Sequence, residues 1–187
     1  MIPSPGCTEV PAPFVSAAAT RAHWYALYTR SNYEKQVAAE LTNRGIENYL
    51  PTVQQVHSWK DRRKLVDVPI FRSYVFTRFA DIANQRLRVL QTNGVVRILG
   101  NTTGGGIEAI PAIEIQSIQK LVDSAKPFVS FPLLRKGSRV RVKRGVLAGV
   151  EGLFVRFKGR TRLVLTVEIL AQSIAVEIDP MDIEMCS

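Results

Sequence analysis

Cysteine is nearly missing from this chain: its 187 residues contain two, Cys7 and Cys186, close to opposite ends. A pair so placed frames no disulfide scaffold of the kind that staples small secreted domains, and a reducing cytoplasm is the simpler setting. Histidine is as scarce. His23 and His57 are the only two, and neither has Cys, Asp or Glu at the spacing of a metal site or a catalytic triad. The carboxylates are too scattered to nominate an acid and a base. The glycine run Gly104 to Gly106 lacks the Lys-Ser/Thr that closes a phosphate loop and reads as a flexible connection. No apolar run approaches the roughly 18–20 residues that span a bilayer. The start carries no Lys or Arg before Arg21, and Pro3, Pro5, Pro11 and Pro13 interrupt its apolar stretch, so it does not read as a secretory signal. These absences leave little for an enzyme to work with. No catalytic residue, cofactor, metal or membrane contact is expected.

What the chain does have is core material and positive charge. Hydrophobic residues make up 46% and charged residues 22%, enough for one or two globular domains. The net charge of +9 suits contact with nucleic acid or with acidic protein surfaces. That charge is uneven. Residues 1–21 carry one base and one acid, residues 22–124 carry 13 and 9, and residues 125–187 carry 11 and 6, so the short C-terminal part is the more basic per residue.

The pattern along the chain predicts an α+β unit followed by an all-β one. Residues 1–21, rich in proline and small residues, read as a disordered tail. His23 to Thr29 alternates as a strand. Ser31 with Glu34 three residues on has the form of a capping box, which predicts a helix over 31–44 ended by Gly45. Asn48 to Val56 reads as a strand interrupted by Pro51, Trp59 to Lys64 as a basic hairpin tip, and Ile70 to Phe79 as a central strand. A short helix up to Gln91, a strand over Val95 to Leu99 and a helix over 112–124 after Pro111 complete the unit. Ile113, Ile115, Ile118, Leu121 and Val122 form that last helix's apolar stripe. The order predicts an antiparallel sheet flanked by helices. Residues 125–134, with Pro127 and Pro132, read as a linker. Five short β-branched runs over 135–187, punctuated by glycines, predict a small closed barrel, since closure removes exposed edges.

Residues 135–155 (RKGSRVRVKRGVLAGVEGLFV) resemble a KOW motif, with Gly137, Gly145, Gly149 and Gly152 at its turns. The upstream unit is similar to the N-terminal (NGN) domain of NusG proteins. The matching residues are Trp24-Tyr25, Glu34, Val37, Pro51, Pro69-Ile-Phe71, Tyr74-Val-Phe76, Gly94-Val95 and the helix after Pro111. The likeness covers roughly 22–186, and the tryptophan-bearing segment Trp59-Lys-Asp-Arg-Arg-Lys64 resembles most the UpxY group of specialised paralogues, to which RfaH is comparable. The resemblance implies an NGN domain over 22–124 tethered to an SH3-like KOW domain over 135–187. It further implies a monomeric elongation or antitermination factor that bridges the RNA polymerase cleft, from the β′ clamp helices to the β gate loop. Binding the closed clamp better than the open one would shift the equilibrium towards processive elongation.

Carried over by motif, the clamp-helix patch comprises Phe71, Tyr74 and Phe76 with Pro69 at its edge. The competing reading makes the aromatics ordinary sheet core. This sequence departs from the family's Phe-Pro-Gly/Asn-Tyr at Phe71-Arg72-Ser73-Tyr74, where Arg72 either pairs with acidic groups of the clamp helices or stays solvated. Gln85-Arg86-Leu87-Arg88 stands where RfaH carries its gate-loop hydroxyls. Arg86 and Arg88 lie about 200° apart on a helix, so one is placed for the gate loop or non-template DNA and the other for solvent. Lys60, Arg62, Arg63 and Lys64 are placed for upstream DNA phosphates, or form a solvated hairpin. Trp59 either stacks on an unpaired base or folds back on the sheet. In the KOW unit, Arg139, Arg141, Lys143 and Arg144 form a basic outer face, and Ile169 with Leu170 occupies the loop that contacts a small-subunit ribosomal protein or Rho. Val68 stands where RfaH has the glutamate that holds its refolded closed state, and the period-2 β-branched pattern disfavours helix, so no fold switch is expected. Two alternatives stay open: a general housekeeping NusG, and an RNA-binding or ribosome-associated KOW protein. The barrel shows no clustered aromatic platform for the latter.

Overall fold

The computed structural model of the chain describes residues 21–59, 62–100, 106–132, 137–157, 160–167 and 170–186. Residues 1–20 of the expected tail lie outside that description.

β1 (Ala22–Thr29) is the expected aromatic strand. Its alternation sends Tyr25 and Leu27 to one side of the sheet and Trp24 and Ala26 to the other. α1 (Glu34–Asn43) starts later than 31 because Asn32 sits in the left-handed region at φ 64°, which no helix passes through. Tyr33 is the N-cap and makes no side-chain cap bond, so the capping box does not form. Glu34 turns inward instead: it is 6% exposed, and a carboxylate oxygen accepts a 2.7 Å hydrogen bond from the Ser73 amide.

The strand expected over 48–56 is two strands in two different sheets, parted at Pro51. β2 (Glu47–Tyr49) joins the main sheet, while β3 (Thr52–Trp59) pairs with β4 (Arg62–Pro69) in a separate hairpin running from Thr52↔Pro69 to Trp59↔Arg62. β5 (Tyr74–Ala80) begins at Tyr74 and not at Ile70, because Ser73 also has a positive φ, 64°. Ser73 holds the position where the resembling proteins have Gly or Asn, the residues that tolerate this conformation. Thr29 N donates to Ser73 O at 2.9 Å and Ser73 N donates to Glu34, so the turn is fixed from both sides. Ser73→Gly is therefore expected to stabilise the chain by about 0.5–1 kcal/mol, the relief of left-handed strain exceeding glycine's extra unfolded-state entropy. A rise in the urea midpoint at unchanged slope would show it; an unchanged or lower midpoint would contradict it.

α2 (Ala83–Leu90) and β6 (Val95–Ile98) complete an antiparallel sheet of order β2-β5-β1-β6. α3 (Ala112–Asp123) follows Pro111, whose φ of −55° suits a helix entry. Ile115, Ile118 and Leu121 are buried, but Ile113 is 53% exposed. Two helical residues separate Ile113 from Ile115 by about 200°, so both cannot face the same core.

The expected linker contains β7 (Phe128–Pro132), paired with β11 (Gln172–Glu177). The run Phe-Val-Ser-Phe carries enough β-forming character to pair, and Pro132 is tolerated because β7 is an edge strand. With β8 (Ser138–Val142), β9 (Glu151–Phe157), β10 (Arg160–Val167) and β12 (Ile183–Met185), these form a six-stranded antiparallel sheet of order β12-β8-β9-β10-β11-β7. The C-terminal region is thus all-β: the five strands expected over 135–187 are β8 to β12, and β7 from the expected linker adds a sixth to their sheet.

Two hydrophobic clusters form the core. Tyr25, Leu27, Val75 and Phe79 pack with Val37 and Leu41 of α1 and Val89 of α2 on one face of the four-stranded sheet. On the other face Trp24, Ala26 and Phe76 belong to a cluster that continues through Ile115, Ile118 and Leu121 of α3 to Val140, Leu163 and Ile174 of the six-stranded sheet. Lys120 adds a polar link, its Nζ donating to the Ala148 carbonyl at 3.2 Å. Among the described residues no helix is long and apolar enough to cross a membrane.

Candidate functional site

The sheet face turned away from α1 and α2 gathers the aromatic residues singled out in the sequence, at two depths. Phe76 is 0% and Phe71 1% exposed, meeting edge to face with ring centroids 5.7 Å apart. Tyr49 stacks over Phe76 at 6.5 Å. Burial pushes the Tyr49 phenol well above its ordinary pKa, with the Asp123 carboxylate adding to the shift, and among the described residues its hydroxyl has no hydrogen-bond partner. Phe71 and Phe76 therefore take the sheet-core position in this arrangement. Pro69 and Tyr74 are half-buried and reach the surface.

Tyr74 does not stand alone there. The antiparallel register sets Tyr28 of β1 directly beside Tyr74 of β5 on one side and Arg97 of β6 on the other. The two tyrosine rings lie 5.6 Å apart, and the Arg97 guanidinium carbon lies 5.8 Å from the Tyr28 ring centre, a cation–π contact. Guanidinium, ring and ring thus form a row across three strands. Sequence reasoning missed Tyr28 and Arg97. Alternation in β1 places Tyr28 on the Trp24 face, but only the inter-strand register shows what it stands beside. Arg72 is exposed at the turn before Tyr74, and a groove of about 930 Å³ opens next to it between Val53, Val68 and Pro69 on one wall and Val122 and Phe128 on the other.

The two arginines of α2 are both engaged within the chain. Arg86 makes a two-pronged ion pair with Asp81, with Nε and Nη2 each 3.0 Å from a carboxylate oxygen. Arg88 Nη2 donates to the Arg44 carbonyl at 2.9 Å, and Arg44 Nη1 donates back to the Arg88 carbonyl at 3.1 Å. Arg44 also pairs with Glu40, whose other oxygen accepts from Asn93 N at 3.2 Å. Besides Asn84 and Arg88, α2 exposes apolar surface: Leu87 is 53% exposed, and Ile82 before the helix and Leu90 at its end are also exposed.

In the basic hairpin, Arg62, Arg63 and Lys64 pair with Trp59, Ser58 and His57. Lys60, and the side chains of residues 57–64, lie outside the described residues. In the C-terminal sheet, Arg139, Arg141, Lys143 and Arg144 are exposed as expected, with Arg141 paired to Glu151 and Arg144 Nε 3.1 Å from Asp182. Leu170 is buried at 5% and does not present its side chain; Ile169 lies outside the described residues. The described residues hold no cluster of His, Cys, Asp or Glu that could bind a metal ion.

Comparison with known proteins gives a family. The model of the NusG family, described as transcription termination factor NusG, matches residues 22–119. The transcription termination/antitermination protein NusG of Borreliella burgdorferi is 26% identical over 183 residues, covering 86% of this chain and 97% of that relative. A solved structure on domain interaction in Thermotoga maritima NusG covers 89% of this chain and 98% of its own at 17% identity, with a TM-score of 0.52, a likeness of fold.

Proposed function

The chain belongs to the NusG family of transcription termination and antitermination factors, and from that premise we propose that it works by binding RNA polymerase, with no catalysis of its own. On this reading residues 22–124 are an NGN domain and residues 135–187 a KOW unit of SH3-like barrel type, with β7 from the stretch between them completing the second sheet. The NGN domain bridges the cleft between the β′ clamp helices and the β gate loop. It favours the closed clamp, lowers pausing and raises processivity. The KOW unit recruits the ribosome or another factor through the loop around Ile169 and Leu170.

The observation that carries the docking role is the accessible row Arg97–Tyr28–Tyr74, lying over the rigid Phe71–Phe76 pair. Half-exposed aromatics on a stiff sheet lose little side-chain entropy on binding, and an adjacent guanidinium suits the acidic surface of a coiled coil; such groups are typical hot spots. Pro69 and Arg72 form the rim. Because Arg86 and Arg88 are occupied internally, the gate-loop contact is assigned to the exposed Leu87 edge of α2, with Arg86 beside it. The hairpin cations Lys60, Arg62, Arg63 and Lys64 supply salt-dependent attraction to upstream DNA. The tryptophan-bearing hairpin and the altered Phe71-Arg72-Ser73-Tyr74 turn favour a specialised, operon-dedicated paralogue over a housekeeping NusG.

The test is binding to core RNA polymerase at moderate salt, which suppresses non-specific charge attraction. Tyr74→Ala is expected to weaken binding by about tenfold or more while leaving the unfolding midpoint within a few degrees, as for a surface anchor. Equal binding by variant and wild type would remove Tyr74 from the interface. RNA affinity far above polymerase affinity would favour the RNA-binding alternative.

A further inference from the structure

The hairpin β3–β4 is a sheet of two strands only, so each strand has a free edge. The register tells which backbone groups those edges present. The Ile70 amide donates to the Pro51 carbonyl at 2.9 Å. Ladder bonds in an antiparallel pair fall on alternate residue pairs, so Val53↔Val68 and Gln55↔Val66 carry the next ones. Thr52 and Gln54 therefore turn their amides and carbonyls outwards, and among the described residues no backbone group pairs with them there.

This β3 edge borders the groove of about 930 Å³ beside Arg72. Successive residues Thr52 to Gln55 all line it, whereas residues 65–67 on the far edge of the hairpin do not. Neighbouring side chains on a strand point to opposite faces, so a wall made of the whole run includes the edge between those faces. Across the groove stand Val122 near the end of α3 and residues 125–128, which lead into β7. Val53 and Val68 give the near wall its apolar surface, and Val122 and Phe128 the far one. Two cations, Arg72 and Lys126, line the groove, and no Asp or Glu does. Both are exposed, and neither has an ion-pair partner among the described residues.

We propose that this groove takes an extended acidic segment of a partner protein, which adds a third strand along β3. An edge of alternating amides and carbonyls needs an occupant with both acceptors and donors. A peptide backbone has both, and a phosphodiester backbone offers acceptors alone. Apolar side chains of the segment meet the valine and phenylalanine walls, and its carboxylates meet Arg72 and Lys126, which are otherwise uncompensated. The run from Thr52 to Gln55 gives about 13 Å of edge at ~3.3 Å per residue, which a segment of about six residues covers. The site shares Pro69 and Arg72 with the rim of the polymerase patch but uses none of the Arg97–Tyr28–Tyr74 row. It stands without the polymerase reading.

The test is a titration of the isotope-labelled full-length protein, at moderate salt and without polymerase, with a blocked hexapeptide alternating glutamate and valine, read from the backbone amide NMR signals. The Thr52 and Gln54 amides are expected to move downfield as they gain acceptors, and their exchange with solvent to slow about tenfold or more. The lysine–valine counterpart is expected to bind about tenfold more weakly, and so is the glutamate–valine peptide methylated at every amide nitrogen. Lys126→Glu is expected to weaken binding several-fold through charge. Gln54→Pro, which deletes one outward amide at a position where an edge strand tolerates proline, is expected to do the same through the backbone. Lysine–valine or methylated peptide binding as tightly as the parent would overturn the proposal. So would the absence of shifts at Thr52 and Gln54, or binding unchanged in both variants. A thymidine oligonucleotide bound in the groove more tightly than the peptide would overturn it in favour of nucleic acid.

Discussion

Phe76→Ala is expected to lower the free energy of unfolding by about 3–5 kcal/mol, the usual cost of emptying a fully buried aromatic site. Phe76 is 0% exposed and wedged between Phe71 and Tyr49, in the cluster that continues through α3 into the second sheet. A cavity there removes contacts from both aromatic neighbours at once, and they cannot close over it without moving β5 in the middle of the sheet. Urea unfolding would measure the loss; a cost under 1 kcal/mol would mean that the ring is not packed as described. The consequence for function is practical. Polymerase binding lost in a Phe71 or Phe76 variant reports unfolding as readily as a lost contact, whereas Tyr74, half-exposed on the same face, separates the two.

Gly94→Ala is expected to cost about 2–3 kcal/mol, from backbone strain and a steric clash together. Gly94 has φ 95°, and a Cβ there would stand 2.7 Å from Tyr33 Cδ1 and 3.0 Å from Val37 Cγ2. Those side chains hold the start of α1 against the sheet, and the Gly94 carbonyl accepts from Arg30 N at 2.9 Å across the same junction. The methyl group therefore has to displace the helix, the β6 turn or both. Gly45→Ala is the control, since Gly45 has φ 70° but open space around it, and so carries the strain without the clash. A Gly94 variant no worse than the Gly45 variant would mean that the contact with Tyr33 yields freely.

Local pattern made much of this legible. The order of strands and helices, Pro111 at the entry of α3 and the β-rich C-terminal part follow from alternation, helical spacing and proline chemistry, all visible in a window of ten residues. The failures have one cause in common, tertiary contacts that override a local signal. Ser31 and Glu34 spell a capping box, yet Glu34 is drawn away to a backbone amide 39 positions along the chain. Phe128 to Pro132 looks like linker between prolines, yet β11 offers it a partner edge. Arg88 likewise meets the Arg44 carbonyl 44 positions away, a contact no local stretch announces, whereas Arg86 pairs with Asp81 only five residues off. The site divides in the same way. The motif nominates Tyr74 and Pro69 as candidates, but the depth of Phe71 and Phe76 and the partnership of Tyr28 with Arg97 depend on sheet register, which no short stretch of sequence states.

The exchange between Arg44 and Arg88 has a dynamic consequence. α1 has ten residues and α2 eight, both below the length at which an isolated helix persists in water. Each ends by receiving the other's guanidinium on its last carbonyls, where a positive group also opposes the helix dipole. Neither end can fray without releasing its counterpart. The two helices then form one opening unit, and their slow amide protons should exchange with solvent at a shared free energy, as a single cooperative patch on that side of the sheet.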